Sequence, residues 1–139
     1  MRERRLILIV DDEPQIQRFL GHALVAAGYD TCLAASGAEA LAQVAAQEPD
    51  LMILDLGLPD MNGKEVIERL RLRSDLPVIV LSAHDQEMEK IMALDLGADD
   101  FVGKPFGIGE LLARLRAGLR PRRAARSQQI RQAGLLIDL

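Results

Sequence analysis

Leu6-Ile7-Leu8-Ile9-Val10-Asp11-Asp12-Glu13-Pro14 is an apolar, strand-like run that stops abruptly on carboxylates and then on a proline. Its apolar positions do not alternate with polar ones, which is the pattern of a strand buried on both faces. Pro14 suits the first turn of a following helix, where a missing N–H is harmless. The same arrangement recurs downstream. Leu51-Met52-Ile53-Leu54 runs into Asp55, Val78-Ile79-Val80-Leu81 into Ser82, and Asp100-Phe101-Val102-Gly103 into Lys104-Pro105. Thr31-Cys32-Leu33-Ala34 is the weakest strand signal, as an edge position would explain.

Helical patterns separate these runs. Ile16, Phe19, Leu20, Ala23 and Leu24 form a stripe at helical spacing that ends at Gly28. Ser36 followed by Glu39 reads as a capping box opening a second helix, with Leu41, Val44 and Ala45 expected inward. Val66, Ile67 and Leu70 mark a third helix. Met88, Ile91 and Met92 mark a fourth, stopped at Gly97, and Ile108, Leu111, Leu112 and Leu115 a fifth. Strict strand–helix alternation predicts an α/β fold: a parallel sheet covered on both faces by right-handed crossover helices. The expected architecture is flavodoxin-like, a doubly wound (βα)5 unit with five parallel strands in the order 2-1-3-4-5.

With 139 residues, 49% of them hydrophobic and 27% charged, the chain is long enough for one domain with a sizeable core. It carries no apolar run near the length of a membrane span and no signal-peptide pattern, so a cytoplasmic location is expected. Cys32 is the single cysteine, which excludes an internal disulfide and a cysteine-based zinc cage; a buried strand thiol is expected. The net charge of −4 conceals an asymmetry. Residues 1–119 hold 12 Lys or Arg against 20 Asp or Glu, whereas residues 120–139 hold five Arg against Asp138. An acidic body is a poor surface for nucleic acid, whose affinity comes from Lys and Arg neutralising phosphates. The division expected is a domain over 1–119, a basic linker over 120–130, and a strand-like segment over 131–139 that opens a further domain of a longer protein.

The chemistry sits at the predicted strand ends. In an open α/β sheet these ends line the crevice where ligands bind. Asp11, Asp12 and Asp55 would repel one another there unless a cation sits between them, and Mg²⁺, with its oxygen coordination, is the natural one. Either Asp11 or Asp12 alone could simply cap the helix starting at Pro14, but that leaves Asp55 unexplained. Asp55 is the candidate nucleophile toward a phosphoryl group. Lys104 offers a point charge to phosphoryl oxygens, and Pro105 permits a cis peptide. Ser82 could donate its hydroxyl, with Ala83 leaving room, or could be an ordinary turn residue. Gly57 would let its carbonyl reach the metal, although Leu56-Gly57-Leu58-Pro59-Asp60 also reads as a turn. His22 and His84 lack a metal-ligand partner at useful spacing, and no glycine-rich nucleotide loop follows a strand.

Val10-Asp11-Asp12-Glu13, Leu54-Asp55-Leu56-Gly57-Leu58-Pro59-Asp60, Ser82-Ala83 and Lys104-Pro105-Phe106 together resemble the receiver domain of two-component response regulators over residues 5–119. The resemblance implies a signalling domain, catalysing only its own phosphorylation and dephosphorylation, that accepts phosphate on Asp55 from a sensor histidine kinase. It implies a Mg²⁺ site of Asp11, Asp12, Asp55 and the Gly57 carbonyl, with Asp12 and that carbonyl ligating directly and Asp11 largely through water. Ser82 and Lys104 then sense the phosphoryl group, and Phe101 is the aromatic switch of the fifth strand.

Gly97-Ala98-Asp99-Asp100-Phe101 and Glu110-Leu111-Leu112-Ala113-Arg114 narrow the resemblance to the OmpR/PhoB-like transcriptional subfamily, and Lys104-Pro105-Phe106-Gly107-Ile108-Gly109-Glu110-Leu111 to regulators of the Kdp potassium-transport operon. Ala133 to Leu139 is similar to the opening strand of their winged-helix DNA-binding domain. The subfamily resemblance implies a phosphorylation-dependent homodimer through Lys90, Ile91, Leu94, Asp99, Asp100, Glu110, Ala113 and Arg114, with Lys90 meeting Glu110 and Asp100 meeting Arg114 across it. DNA contact would come only from the missing domain. Two other readings are a stand-alone phosphotransfer or interaction module and a Mg²⁺-dependent phosphohydrolase, for which no cap domain or general acid is present.

Overall fold

The computed structural model describes residues 4–83 and 87–121. His84 and the expected linker and terminal strand beyond Pro121 therefore lie outside the described residues. The chain runs β1 (Leu6–Val10), α1 (Pro14–Ala26), β2 (Asp30–Ala34), α2 (Gly37–Gln47), β3 (Leu51–Asp55), α3 (Gly63–Arg71), β4 (Val78–Ser82), α4 (Glu87–Asp95), β5 (Asp100–Gly103) and α5 (Ile108–Gly118). All five strands are parallel in the order β2-β1-β3-β4-β5, as the alternation predicts.

The sheet is sandwiched between two apolar layers. Leu8, Val10, Met52, Leu54, Val78 and Val80 pack on one face with Ala40, Val66, Ile67, Leu70 and Ala93 from α2, α3 and α4. Ile7, Ile9, Leu51, Ile53, Ile79 and Leu81 pack on the other with Leu20 and Leu24 of α1 and Leu111 and Leu115 of α5. This explains why β1, β3 and β4 are apolar at successive positions. Each such fully buried side chain contributes roughly 1.5–3 kcal/mol. β2 lies at the edge, as its weak apolar signal suggests, and Cys32 there is half-buried rather than fully buried.

Local signals set most helix ends. Pro14 opens α1, and Gly28 (φ 101°) and Gly97 (φ 121°) take left-handed conformations just beyond α1 and α4. Ser36 caps α2 by accepting from Glu39 N–H at 3.1 Å, while the Glu39 carboxylate reaches back to Ala35 N–H at 2.7 Å. Asn62 caps α3 by accepting from Lys64 N–H.

Two expectations about facing need correction. Phe19 is 53% exposed, with its ring against Phe106 on the β5–α5 loop instead of in the core. Ala45 is exposed, so α2 turns Ala40 inward and leaves only Leu41 and Val44 partly buried. On α4 Met88, Ile91 and Met92 are exposed, and small Ala93 makes the close approach to the sheet. Among the described residues no helix is long and apolar enough to cross a membrane.

Candidate functional site

Strand register brings the chemistry together. Val10 lies opposite both Ala34 and Leu54, Asp55 opposite Leu81, and Ser82 opposite Gly103, so the carboxyl ends of β1, β3, β4 and β5 form one rim. Asp11 continues the β1 ladder by donating its N–H to Ala34 O at 3.1 Å. Lys104 N–H donates to Ser82 O at 2.8 Å, which fixes the chain leaving β5 beside the end of β4. The Lys104–Pro105 peptide is cis.

Asp11, Asp12 and Asp55 each offer a carboxylate oxygen within 4.8 Å of the others. Asp11 is 2% exposed, Asp55 partly buried and Asp12 exposed, so the cluster grades from core to solvent. Asp11 Oδ1 accepts from Glu13 N–H at 2.9 Å, and Gln17 Nε2 clamps the Asp11 carbonyl at 2.7 Å. Asp11 Oδ2 is buried and accepts no hydrogen bond from any described residue. Lys104 Nζ stands 3.6 Å from that oxygen and 3.6 Å from Asp55 Oδ1, close enough for ion pairing and too far for a good hydrogen bond. One ammonium is thus set against three carboxylates. Burial pushes the Asp11 carboxyl up, the Asp55 charge adds to the rise, and the Glu13 N–H and Lys104 oppose it.

The donor set consists of oxygens, carries an excess of negative charge, and includes a buried acceptor with no hydrogen bond from the described residues. These features fit a hard divalent cation. Gly57 is exposed two residues beyond Asp55; a side chain built there would bring its Cβ 3.9 Å from Asp55 Oδ2. Ser82 is buried at the end of β4, and Ala83 beside it is exposed. Phe101 lies opposite Val80 and is partly buried against the α4 side of the sheet.

The other expected residues lie away from this rim. Lys90, Ile91 and Leu94 are exposed on α4, and Glu110 and Ala113 on α5. Asp100 and Arg114, expected to meet across a dimer, meet within the chain: Arg114 Nη1 bonds Asp100 Oδ1 and Oδ2 at 2.9 and 3.0 Å, and Arg114 Nη2 bonds Glu110 Oε2 at 3.0 Å. Asp99 pairs with Arg71 at 3.1 Å and accepts from Val78 N–H. His22 is exposed on α1, as expected.

The motif reading missed several residues that fasten the elements together, Asp60 and Lys64 at the rim and Arg71 at the opposite end of the sheet. Asp60 accepts from two amides of α2, Arg71 donates to Gly97 O beyond α4, and Lys64 of α3 pairs with Glu89 of α4 at 3.0 Å. Each tie joins elements that lie far apart in the chain and has no local spacing to mark it.

Comparison with known proteins agrees with this geometry. The transcriptional regulatory protein KdpE of Mycobacterium tuberculosis is 53% identical over 120 residues, covering 86% of this chain and 53% of that protein. KdpE of Escherichia coli is 55% identical over 114 residues, covering 82% of this chain and 51% of that protein. The chain thus spans about half the length of these curated relatives. The BeF3-activated N-terminal receiver domain of Klebsiella pneumoniae RstA superposes with a TM-score of 0.81 at 32% identity, covering 84% of this chain and 99% of that one. A putative response regulator of Chloroflexus aurantiacus gives 0.80 at 37%, covering 84% and 98%. The family model of the response regulator receiver domain matches residues 7–116, and the chain belongs to that family.

Proposed function

We propose that this chain is the phosphoacceptor domain of a transcriptional response regulator, with Asp55 as the acceptor, a sensor histidine kinase as the donor and Mg²⁺ as the required ion. The observation that carries this reading is the convergence of Asp55, Asp11 and Lys104 at the ends of three strands, with one ammonium 3.6 Å from both carboxylates.

Asp11, Asp12, Asp55 and the Gly57 carbonyl would hold the ion. When bound, Mg²⁺ offsets the charge of the carboxylates and of the incoming phosphoryl oxygens. An Asp55 carboxylate oxygen attacks phosphorus as the P–N bond of a phosphohistidine breaks; the electron pair of that bond leaves with the imidazole. The products are an aspartyl phosphate and a free histidine. Lys104 meets the new negative charge, and the Ser82 hydroxyl donates to a phosphoryl oxygen. Phe101, partly buried beside the same strand, follows by repacking and passes the change to the α4–β5–α5 surface.

Output through transcription, of potassium-transport genes in particular, is supported by the identity to two proteins named as transcriptional regulatory proteins KdpE, the Escherichia coli one being named for the KDP operon. The chain would then act as a phosphorylation-dependent homodimer and reach DNA through a separate C-terminal domain. Incubation with a small phosphodonor and Mg²⁺ tests the core of the reading by intact mass. One phosphoryl group should add, stable in acid and lost in base, and it should be absent on chelation of the ion and in Asp55→Asn. Stoichiometric labelling of that variant would overturn the assignment.

A further inference from the structure

The segment Leu56–Asn62 leaves β3 carrying Gly57 and enters α3, and its two ends close on each other. Gly63 N–H donates to Leu56 O at 2.8 Å, and Gly57 forms an antiparallel bridge with Asn62. This closure holds the base of the loop but leaves its tip to be held from elsewhere.

The tip is held by α2. Asp60 is exposed to solvent, yet its Oδ1 accepts from Gly37 N–H at 2.8 Å and its Oδ2 from Ala38 N–H at 3.0 Å. These are the first two amides of α2, donors with no partner inside the helix, at the end where the helix favours negative charge. Ser36 already caps α2 through a different amide, that of Glu39. A second cap supplied from another element therefore does more than start the helix: it ties the two segments together. Packing repeats the tie, since a Cβ on Gly37 would meet Met61 Cγ at 2.5 Å and Sδ at 2.7 Å. At the far end of the loop, a Cβ on Gly63 would meet the Asp55 carbonyl oxygen at 2.9 Å, so the loop also lies tight against the acceptor residue's backbone.

The grip of α2 on the tip adds to the Gly57–Asn62 bridge at the base in holding the backbone of Gly57. Gly57 is exposed and has no side chain to anchor its backbone, and glycine has the widest conformational freedom of any residue. We propose that Asp60 is a positioning residue for the metal site: by gripping the first turn of α2 it fixes Leu56–Asn62 and so orients the Gly57 carbonyl toward the cation. This inference rests on the Mg²⁺ reading above and adds to it a residue that touches neither metal nor phosphate. Supporting groups of this kind matter because a ligand held loosely pays its ordering cost when the metal binds.

The test is Mg²⁺ affinity of the full 139-residue chain by calorimetric titration, without any phosphodonor, in wild type, Asp60→Ala, Asp60→Asn and Ser36→Ala. Asp60→Ala should weaken Mg²⁺ binding roughly tenfold. Asp60→Asn keeps one acceptor oxygen and should fall between, and it carries the test if the alanine variant does not fold. Ser36→Ala removes a cap from the same helix without touching the loop, so it should lower thermal stability and leave Mg²⁺ affinity unchanged. Asp60 variants that bind Mg²⁺ like wild type, or Ser36→Ala losing as much affinity as Asp60→Ala, would overturn the positioning role. A wild-type chain that binds no Mg²⁺ would remove the metal reading and this inference together.

Discussion

Lys104 Nζ lies 3.6 Å from Asp55 Oδ1, beyond good hydrogen-bond distance, and the same separation divides it from the buried Asp11 Oδ2. A lysine shared between two carboxylates, tightly bound to neither, is placed to follow a new negative charge. Removing it takes a positive charge away from the cation site. Lys104→Ala should therefore retain Mg²⁺ binding, or tighten it slightly, and lose the coupling between phosphorylation and association. Calorimetric titration with Mg²⁺ and sedimentation with a phosphate analogue measure the two effects. Complete loss of Mg²⁺ affinity would show that the lysine supports the metal site itself.

Asp11 opposes folding while its site is metal-free. Burial and the neighbouring Asp55 charge raise its folded-state pKa, so ionisation costs more in the folded chain than in the unfolded one. Asp11→Asn should stabilise the metal-free chain by about 1 kcal/mol near neutral pH, in the way function-bearing strained sites often yield stability when neutralised. The sign sets the pH dependence. The penalty is present above the raised folded-state pKa and is relieved as pH falls through it, so the advantage of the variant shrinks in acid. Urea denaturation in the presence of a chelator measures this, and the same variant should lose Mg²⁺ binding. Equal stability of the two chains at neutral pH would mean that Lys104 fully offsets the buried charge.

These site residues were legible in the sequence because each one ends an apolar run, and a parallel sheet brings the carboxyl ends of its strands to one rim. Helix facing was less legible. The spacing of Met88, Ile91 and Met92 identifies an apolar helical face but carries no information on whether anything covers it, and all three are exposed. Phe19 fits the α1 stripe by spacing, yet sits where its ring meets Phe106 instead of the sheet. Asp60 gives the least local sign of its role. It follows Leu58-Pro59 in what reads as a turn, and its partners Gly37 and Ala38 are brought to it only by the packing of α2 beside α3.

Asp60 also predicts acid sensitivity. The Gly37 and Ala38 amides hold its carboxyl below the ordinary carboxylate range. A carboxylate whose folded-state pKa is depressed stabilises the fold above its unfolded pKa of about 4, and that contribution is lost as pH falls through the folded-state value. Asp60→Ala should melt below wild type at neutral pH, and the two curves should converge below the carboxylate range. A gap in Tm that persists unchanged at low pH would assign the loss to packing around Met61 and not to the charge.

The last prediction concerns the surface formed by α4, β5 and α5. Met88 is 64% exposed and Ile91 45%, with Met92 and Leu94 also exposed on this single two-and-a-half-turn helix. Beside them Arg114 is held by Asp100 and Glu110 of its own chain. An isologous contact needs a patch that complements itself, and an apolar centre flanked by acids and bases meets that requirement. The intrachain pairs do not compete with such a dimer. They fix the half-exposed Arg114 guanidinium in place, and guanidinium and carboxylates keep sites for a second partner. Exposed pairs of this kind contribute only about 0–1 kcal/mol within the monomer. Arg114→Glu should therefore barely change the melting temperature, yet it should weaken phosphate-analogue-induced association about tenfold or more, because a two-fold axis counts every substitution twice. Ile91→Lys should do the same through the apolar centre. Sedimentation with beryllium fluoride and Mg²⁺ decides the matter. A wild-type chain that stays monomeric at high concentration, or an Arg114→Glu chain that associates as well as wild type, would place the output of the switch on another face.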